Sequence, residues 1–111
     1  MTVFMNIINK EIPADIIYED DICMAFLDVN PSAPTHVLLI PKKPIKKLSD
    51  ASPDDQAILG HLMVKVGEIT RKLGCEDAFR IVINNGKDAQ QTVFHLHLHI
   101  LADRPFHWPP G

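Results

Sequence analysis

The sequence predicts an α+β domain: a five-stranded antiparallel sheet, one long helix and a short N-terminal helix. Two observations carry this. From Pro53 to Leu73 the apolar residues recur at helical spacing. Elsewhere, five short apolar segments follow one another in sequence, punctuated by Asp, Asn, Gly and Pro.

Taken in order, Phe4 to Asn9 make the short helix, ended before Pro13. Ile16 to Glu19 and Cys23 to Leu27 are strands around the acidic turn Asp20-Asp21. Asn30-Pro31-Ser32-Ala33-Pro34 is a loop by composition. His36 to Ile40 is the third strand, and its nearly continuous apolar run suits a strand covered on both faces. The long helix has Ser52 as N-cap, Pro53 at its first position, and Asp54 and Asp55 at the positive end of its dipole. Ile58, Leu62, Val66, Ile69 and Leu73 form its apolar stripe. Arg71 and Lys72 suit its last turn, and Gly74 supplies a left-handed stop. Phe79 to Asn84 and Val93 to Leu101 are the fourth and fifth strands, joined by the loop Asn85 to Gln91.

A chain of 111 residues is the size of one domain. Size scaling gives roughly 6,200 Å² of folded surface, so a core forms without disulfide staples. With 46% hydrophobic and 23% charged residues, a disordered tail, a collagen-like fibre and a coiled coil are excluded. The net charge of -3 speaks against a dedicated nucleic-acid binder, and Lys42, Lys43, Lys46 and Lys47 read as a solvated loop. Cys23 and Cys75 lie far apart, in no metal or redox spacing, and suit a reducing compartment. No basic leader precedes an apolar run, and no stretch reaches membrane-spanning length. The reading is a soluble cytoplasmic domain, with neither membrane nor nucleic acid as partner.

His95-Leu96-His97-Leu98-His99 is the unusual segment. Strand alternation puts the three histidines on one face and Phe94, Leu96, Leu98 and Ile100 on the other, toward the core. Three readings of the histidine face stay open. The rings decorate a wet surface. Or two neighbours share a zinc ion with a third ligand from elsewhere, such as His36; the outer pair, about 13 Å apart along a strand, is too far apart for one ion. Or an imidazole, partly neutral at pH 7, attacks phosphorus while its neighbours donate to the charged oxygens.

Gln91-Thr92-Val93-Phe94-His95-Leu96-His97-Leu98-His99-Ile100-Leu101 resembles the histidine triad, His-x-His-x-His-x-x with apolar x, of the HIT superfamily. Phe4 to Ala14 is similar to that family's N-terminal segment, Ala25 to His36 to its ribose-binding segment, and His107-Trp108-Pro109-Pro110-Gly111 to the C-terminus of its histidine triad nucleotide-binding (Hint) branch. The resemblance covers essentially the whole chain, 1–111, as a single HIT domain. It implies that His97 is a nucleophile at the α-phosphorus of a nucleotide, forming a nucleotidyl-histidine that water then cleaves. His99 binds the phosphate oxygens and assists the leaving group. His95 orients His97 through its backbone carbonyl, and His36 supports the cluster. Thr92 sits near the leaving group, Asn84 on the phosphate side, with Gln90 and Gln91 in the phosphate-side loop. Asp28 accepts the ribose hydroxyls, and Phe4, Ile7, Phe26 and Val29 line an apolar base pocket suited to a purine. Trp108 and the tail 102–111 pack near the active sites of a two-fold homodimer. No cofactor or metal is implied. Read from the residues alone, Asp28 and Asn84 fit turns, Phe4, Ile7 and Phe26 fit the core, Thr92 fits a strand start, and His61 and His107 fit the surface.

The sequence departs from the family pattern at three places. Gln90 stands where glycine is common; it removes a close backbone approach to phosphate or requires ordinary backbone geometry. Ala102-Asp103 replaces a common Gly-Gly, and Pro44 follows Lys42-Lys43 where many relatives carry another histidine. The activity expected is hydrolysis of the P–N bond of purine nucleoside 5′-phosphoramidates, adenosine preferred. The alternatives are an AMP- or GMP-binding regulatory protein with residual catalysis, and hydrolysis of dinucleoside polyphosphates.

Overall fold

The computed structural model describes residues 1–111. Along the chain come α1 (Val3–Ile8), β1 (Ile16–Glu19), β2 (Cys23–Leu27), β3 (Thr35–Pro41), α2 (Gln56–Leu73), β4 (Phe79–Val82) and β5 (Leu98–Ala102). The strands form one sheet in the order β1-β2-β3-β5-β4, every neighbouring pair antiparallel. The α+β architecture expected from the sequence is the one observed. The accessible surface is 6690 Å², close to the size-scaling value. No helix is long and apolar enough to cross a membrane.

Local chemistry explains the boundaries. Thr2 caps α1 by accepting the Met5 N–H at 3.2 Å. The turn between β1 and β2 closes on Asp20, whose Oδ1 accepts the N–H groups of Ile22 and Cys23, each at 2.8 Å. Ser52 and Asp55 form a capping box around Pro53, but the first turn is a tight 3₁₀ turn, so the α-helix proper starts at Gln56. Gly74 ends α2 at φ 74, the left-handed stop the sequence asked for. Of the predicted stripe, Leu62, Val66 and Ile69 are buried while Leu73 is exposed. Thr70 is buried in the same face, its hydroxyl donating to the Val66 carbonyl at 2.8 Å.

The sheet divides the core in two. Cys23, Ala25, Val37, Leu39, Leu98 and Ile100 meet Leu62, Val66 and Ile69 of α2 on one face. Met24, Phe26, Leu38 and Ile40 meet Phe4 and Ile7 of α1 on the other. Alternation along each strand sorts them.

The fifth strand corrects the sequence reading. It begins at Leu98, not Val93, because the preceding segment leaves the ladder: the Leu96 N–H donates to the Ile45 carbonyl at 2.7 Å. His95 and His97 therefore sit outside the strand, and Phe94, expected in the core, is 42% exposed. Losing that partner also shortens β4, which ends at Val82, opposite His99, and not at Asn84. The third strand, by contrast, runs one residue further at each end, Thr35 to Pro41.

Candidate active site

A cavity of about 420 Å³ opens on the face covered by α1, within the usual range for small-molecule sites. Its apolar wall includes Phe4, Ile7, Phe26, Leu38 and Val29; at its polar end stand Asp28, Thr92, His97 and His99. The short helix explains the opening. Six residues of α1 cover part of the sheet face, Phe4 reaching the His97 ring, and leave the cavity open beside Asp28, Thr92 and His99. Phe4 packs edge-on against Phe26 at 5.5 Å and against the His97 ring at 5.0 Å, so the base of the wall and the histidines hold each other.

Protons on the rings are fixed by what stands behind them. His97 Nδ1 lies 2.7 Å from the carbonyl of His95 and must donate to it, so the lone pair is on Nε2. Burial pushes the pKa of His97 down, against the pull of that carbonyl and of the Asp28 charge. The ring is therefore neutral at pH 7, with a bare nitrogen available for attack. His95 is itself fully buried. Its Nε2 donates to the Pro41 carbonyl at 2.7 Å, and its Nδ1 meets no partner. Burial likewise holds the His95 pKa down, since a proton on Nδ1 would find no acceptor.

His99 is backed differently. Its Nδ1 lies 2.9 Å from Nε2 of His36, and their rings are 5.2 Å apart. His36, on β3, accepts the backbone N–H of Ser32 on Nδ1 at 2.9 Å. Asp28 Oδ2 stands 3.4 Å from His36 Nε2, while Asp28 Oδ1 accepts the N–H of Asn30 at 2.8 Å. Desolvation is the first cause of a low pKa for both rings; His99, with His97 and His36 beside it, is pushed down to about 4.

Several residues singled out in the sequence lie outside this cavity. Asn84 lines a second, smaller cleft with Ser32, His36 and His99, on the other side of the His99 ring. The Gln91 side chain is buried in backbone bonds, to the Lys46 and Val93 carbonyls and the Gly86 N–H, and braces the loop ahead of Thr92. Gln90 is exposed at φ 67, in the left-handed region, so the ordinary geometry considered for it is not adopted. The backbone keeps the shape that glycine takes easily, and the Gln90 N–H is held by the Lys87 carbonyl at 3.0 Å. Asp103 repeats the pattern at φ 70, with its carboxylate bonded to the Thr35 hydroxyl. Trp108 is 82% exposed and does not reach the cavity of its own chain. His107 also stays outside, its carbonyl held by Arg80 at 3.0 Å.

Two partnerships were invisible to sequence spacing. One is Asp28 with His36, which strand pairing brings together. The other is His61, read as surface, whose Nε2 is 2.7 Å from Asp20 Oδ2 and ties α2 to the β1–β2 turn. Two trios place donor atoms within 4.8 Å of one another: Asp28, His36 and His99, and Asp20, Cys23 and His61. In both, donors are already joined by hydrogen bonds, His36 to His99 and His61 to Asp20. The Cys23 thiol, with burial and Asp20 opposing its ionisation, is pushed up to about 12.

A histidine cluster at the end of an apolar cavity, on this sheet, defines a class. The HIT domain family model matches residues 9–106, and the chain belongs to the HIT family. Among its relatives, an uncharacterized HIT-like protein of Synechocystis sp. is 64% identical over 110 residues, spanning 99% of this chain and 96% of the relative. A solved structure of a HIT family hydrolase from Legionella pneumophila superposes with a TM-score of 0.97 at 38% identity, covering 100% of both chains. The histidine triad nucleotide-binding protein from Candida albicans superposes with a TM-score of 0.84 at 31% identity, over 100% of this chain and 85% of that one.

Proposed function

We propose that the chain is a hydrolase of purine nucleoside 5′-phosphoramidates, adenosine preferred, acting through a nucleotidyl-histidine on His97. One observation carries the reading: His97 presents a bare Nε2 at the polar end of an apolar cavity, with Asp28 and His99 beside it. The hydrolase and nucleotide-binding names of the Legionella and Candida proteins support the same direction.

In the first step the Nε2 lone pair of His97 forms a bond to phosphorus as the P–N bond breaks, and the departing amine takes up a proton. In the second, water attacks phosphorus, the P–Nε2 bond breaks, and the nucleoside monophosphate leaves with neutral His97 restored. His99 donates to the phosphoryl oxygens, supported by His36, while His95 orients His97. Thr92 meets the leaving group, and Asn84 faces the phosphate from the second cleft. Asp28 accepts the ribose hydroxyls. Phe4, Ile7, Phe26 and Val29 hold the purine. In this reading the whole chain, 1–111, is one domain, and the tail with Trp108 completes the site of a second copy in a homodimer.

The test is release of amine and AMP from a fluorogenic adenosine 5′-phosphoramidate, with chelator present. Release at an ordinary enzymatic rate supports the reading. AMP binding in calorimetry without release refutes hydrolysis and leaves a binding protein. The dimer is checked by light scattering, which should give about twice the monomer mass; a clean monomer removes the role given to Trp108.

A further inference from the structure

We infer that the trough beyond the His99 ring receives the departing amine, and that Arg80 and Arg104 at its far end select amines carrying a carboxylate several bonds from the nitrogen. The inference rests on the hydrolase reading for the bond that breaks; the trough is read from the structure.

Residues opposite each other on neighbouring strands share a side of the sheet. Val82 stands opposite His99, and Arg80 opposite Leu101. Ile81 and Ile100, between them, turn the other way, into the core under α2. His99, Val82, Leu101 and Arg80 therefore line up on the α1 side of the sheet. Two clefts open over them. The first, about 190 Å³, is the one that Asn84 lines with His36 and His99. The next, about 360 Å³, holds Arg80, Arg104 and Phe106. Val82 and Leu101 line both clefts, so the two join over apolar side chains into one trough.

The trough begins where the nucleotide cavity ends, because His99 lines the cavity and the first cleft alike. His97 lines only the cavity. In a displacement at phosphorus the attacking and departing atoms stand roughly in line, on opposite sides. A nitrogen displaced by His97 thus leaves away from it, past His99 and into the trough.

The far end is cationic. Both guanidinium groups stack on Phe106, Arg80 at 5.0 Å and Arg104 at 4.5 Å from the ring centre. Backbone carbonyls fix their directions. Arg80 donates to His107 at 3.0 Å; Arg104 donates to Ser32 at 3.3 Å and to Pro105 at 3.1 Å. Neither has a carboxylate within 4.0 Å, since every ion pair of the fold lies elsewhere. Asp103, the neighbour of Arg104, gives its carboxylate to the Thr35 hydroxyl. Most of the N–H groups of both side chains stay free. In a chain of net charge -3, two preset cations without an acidic neighbour suit an external anion. A planar carboxylate matches the guanidinium fork.

Spacing sets the length of the amine. From Val82, opposite His99, to Arg80 is two strand residues, or about 7 Å. An extended chain covers that distance in roughly six bonds. The carboxylate of an α-amino acid, two bonds from its nitrogen, stops short beside Val82. Val82 and Leu101 offer apolar surface to the methylenes in between.

The test compares three adenosine 5′-phosphoramidates: those of 6-aminohexanoate, of its methyl ester, and of glycine. The aminohexanoate should exceed its ester in kcat/KM by roughly tenfold at low salt. That ratio should shrink toward one in about 0.5 M salt, where exposed charges are screened. The glycine conjugate should show no such gain over its own ester. Arg80→Gln and Arg104→Gln should each lower the acid-to-ester ratio. Equal rates on acid and ester in the wild type, or a preference that survives both substitutions, overturns the inference. Turnover of the ester would uphold the hydrolase reading in that case. If no conjugate is hydrolysed, the hydrolase reading fails, and calorimetry with the intact conjugates decides the trough. Tighter binding of the aminohexanoate than of its ester then supports the carboxylate site, and equal binding overturns it.

Discussion

The two faces of the sheet are built from the same alternating strands and differ in what covers them. On one face the 18-residue α2 lies across Cys23, Ala25, Val37, Leu39, Leu98 and Ile100 and seals them. On the other the six-residue α1 covers Met24, Phe26, Leu38 and Ile40, touches the His97 ring through Phe4, and leaves a cavity open beside Asp28 and His99. Covering area thus separates two tasks. The sealed face supplies most of the apolar burial; the half-covered face keeps a cavity into which buried, neutral imidazoles can point. Stability and chemistry are divided by one layer of backbone.

Substitutions on the two faces should therefore fail in different ways. The largest effect is expected from His97→Ala, which should lower turnover by at least about 10³-fold. AMP affinity should stay within roughly tenfold, or about 1.4 kcal/mol, in calorimetry. Unchanged turnover removes His97 as the nucleophile. On the sealed face, Leu62→Ala should cost about 2–5 kcal/mol in denaturant unfolding, with AMP affinity of the folded protein unaltered. A matching loss of affinity would show that the two faces are not independent.

The tie between α2 and the β1–β2 turn comes next. Asp20→Ala should cost about 2 kcal/mol at neutral pH, by removing the acceptor for Tyr18, His61 and two backbone N–H groups. Hydrogen bonds from His61 and Tyr18 hold the Asp20 carboxyl well below the usual carboxylate range, against its desolvation. A depressed pKa stabilises the fold above the unfolded value, near 4, and that contribution fades as pH falls further. The variant and the wild type should thus converge in strong acid.

The histidine face has its own pH signature. His36, His95, His97 and His99 are all held below the ordinary imidazole value by burial. Between the unfolded value near 6.5 and the lowered folded values, the unfolded chain binds more protons. Stability should therefore rise with pH through that window, and the melting temperature should drop from pH 7.5 to pH 5. A flat melting profile would contradict the burial of these rings. The smallest effect is expected at Gln90, where glycine should relieve the left-handed backbone and raise stability by under about 1 kcal/mol.

Much of this was legible in the sequence because it is local. Helical periodicity gave α2, and Ser52, Pro53 and Gly74 marked its ends. The motif singled out His97 and His99, and the apolar residues near the N-terminus and on the second strand proved to line one cavity. What sequence could not give depends on chain crossings. Period-two alternation extended the fifth strand back to Val93, but Leu96 pairs with Ile45 across 51 positions and ends the ladder. The Ser32–His36–His99 chain joins a loop, β3 and β5, and no spacing rule encodes it. Gln90 and Asp103 look like departures from a glycine pattern, yet both keep the positive φ, because the surrounding hydrogen bonds fix the path whatever residue follows it.

The most direct measurement is a base-quenched single turnover with adenosine 5′-phosphoramidate, followed by peptide mapping. A nucleotidyl group on His97, and on no other histidine, is the predicted result. Release of AMP with the adduct on His99, or with no adduct at any quench time, would contradict the central claim that the carbonyl of His95 makes His97 the nucleophile.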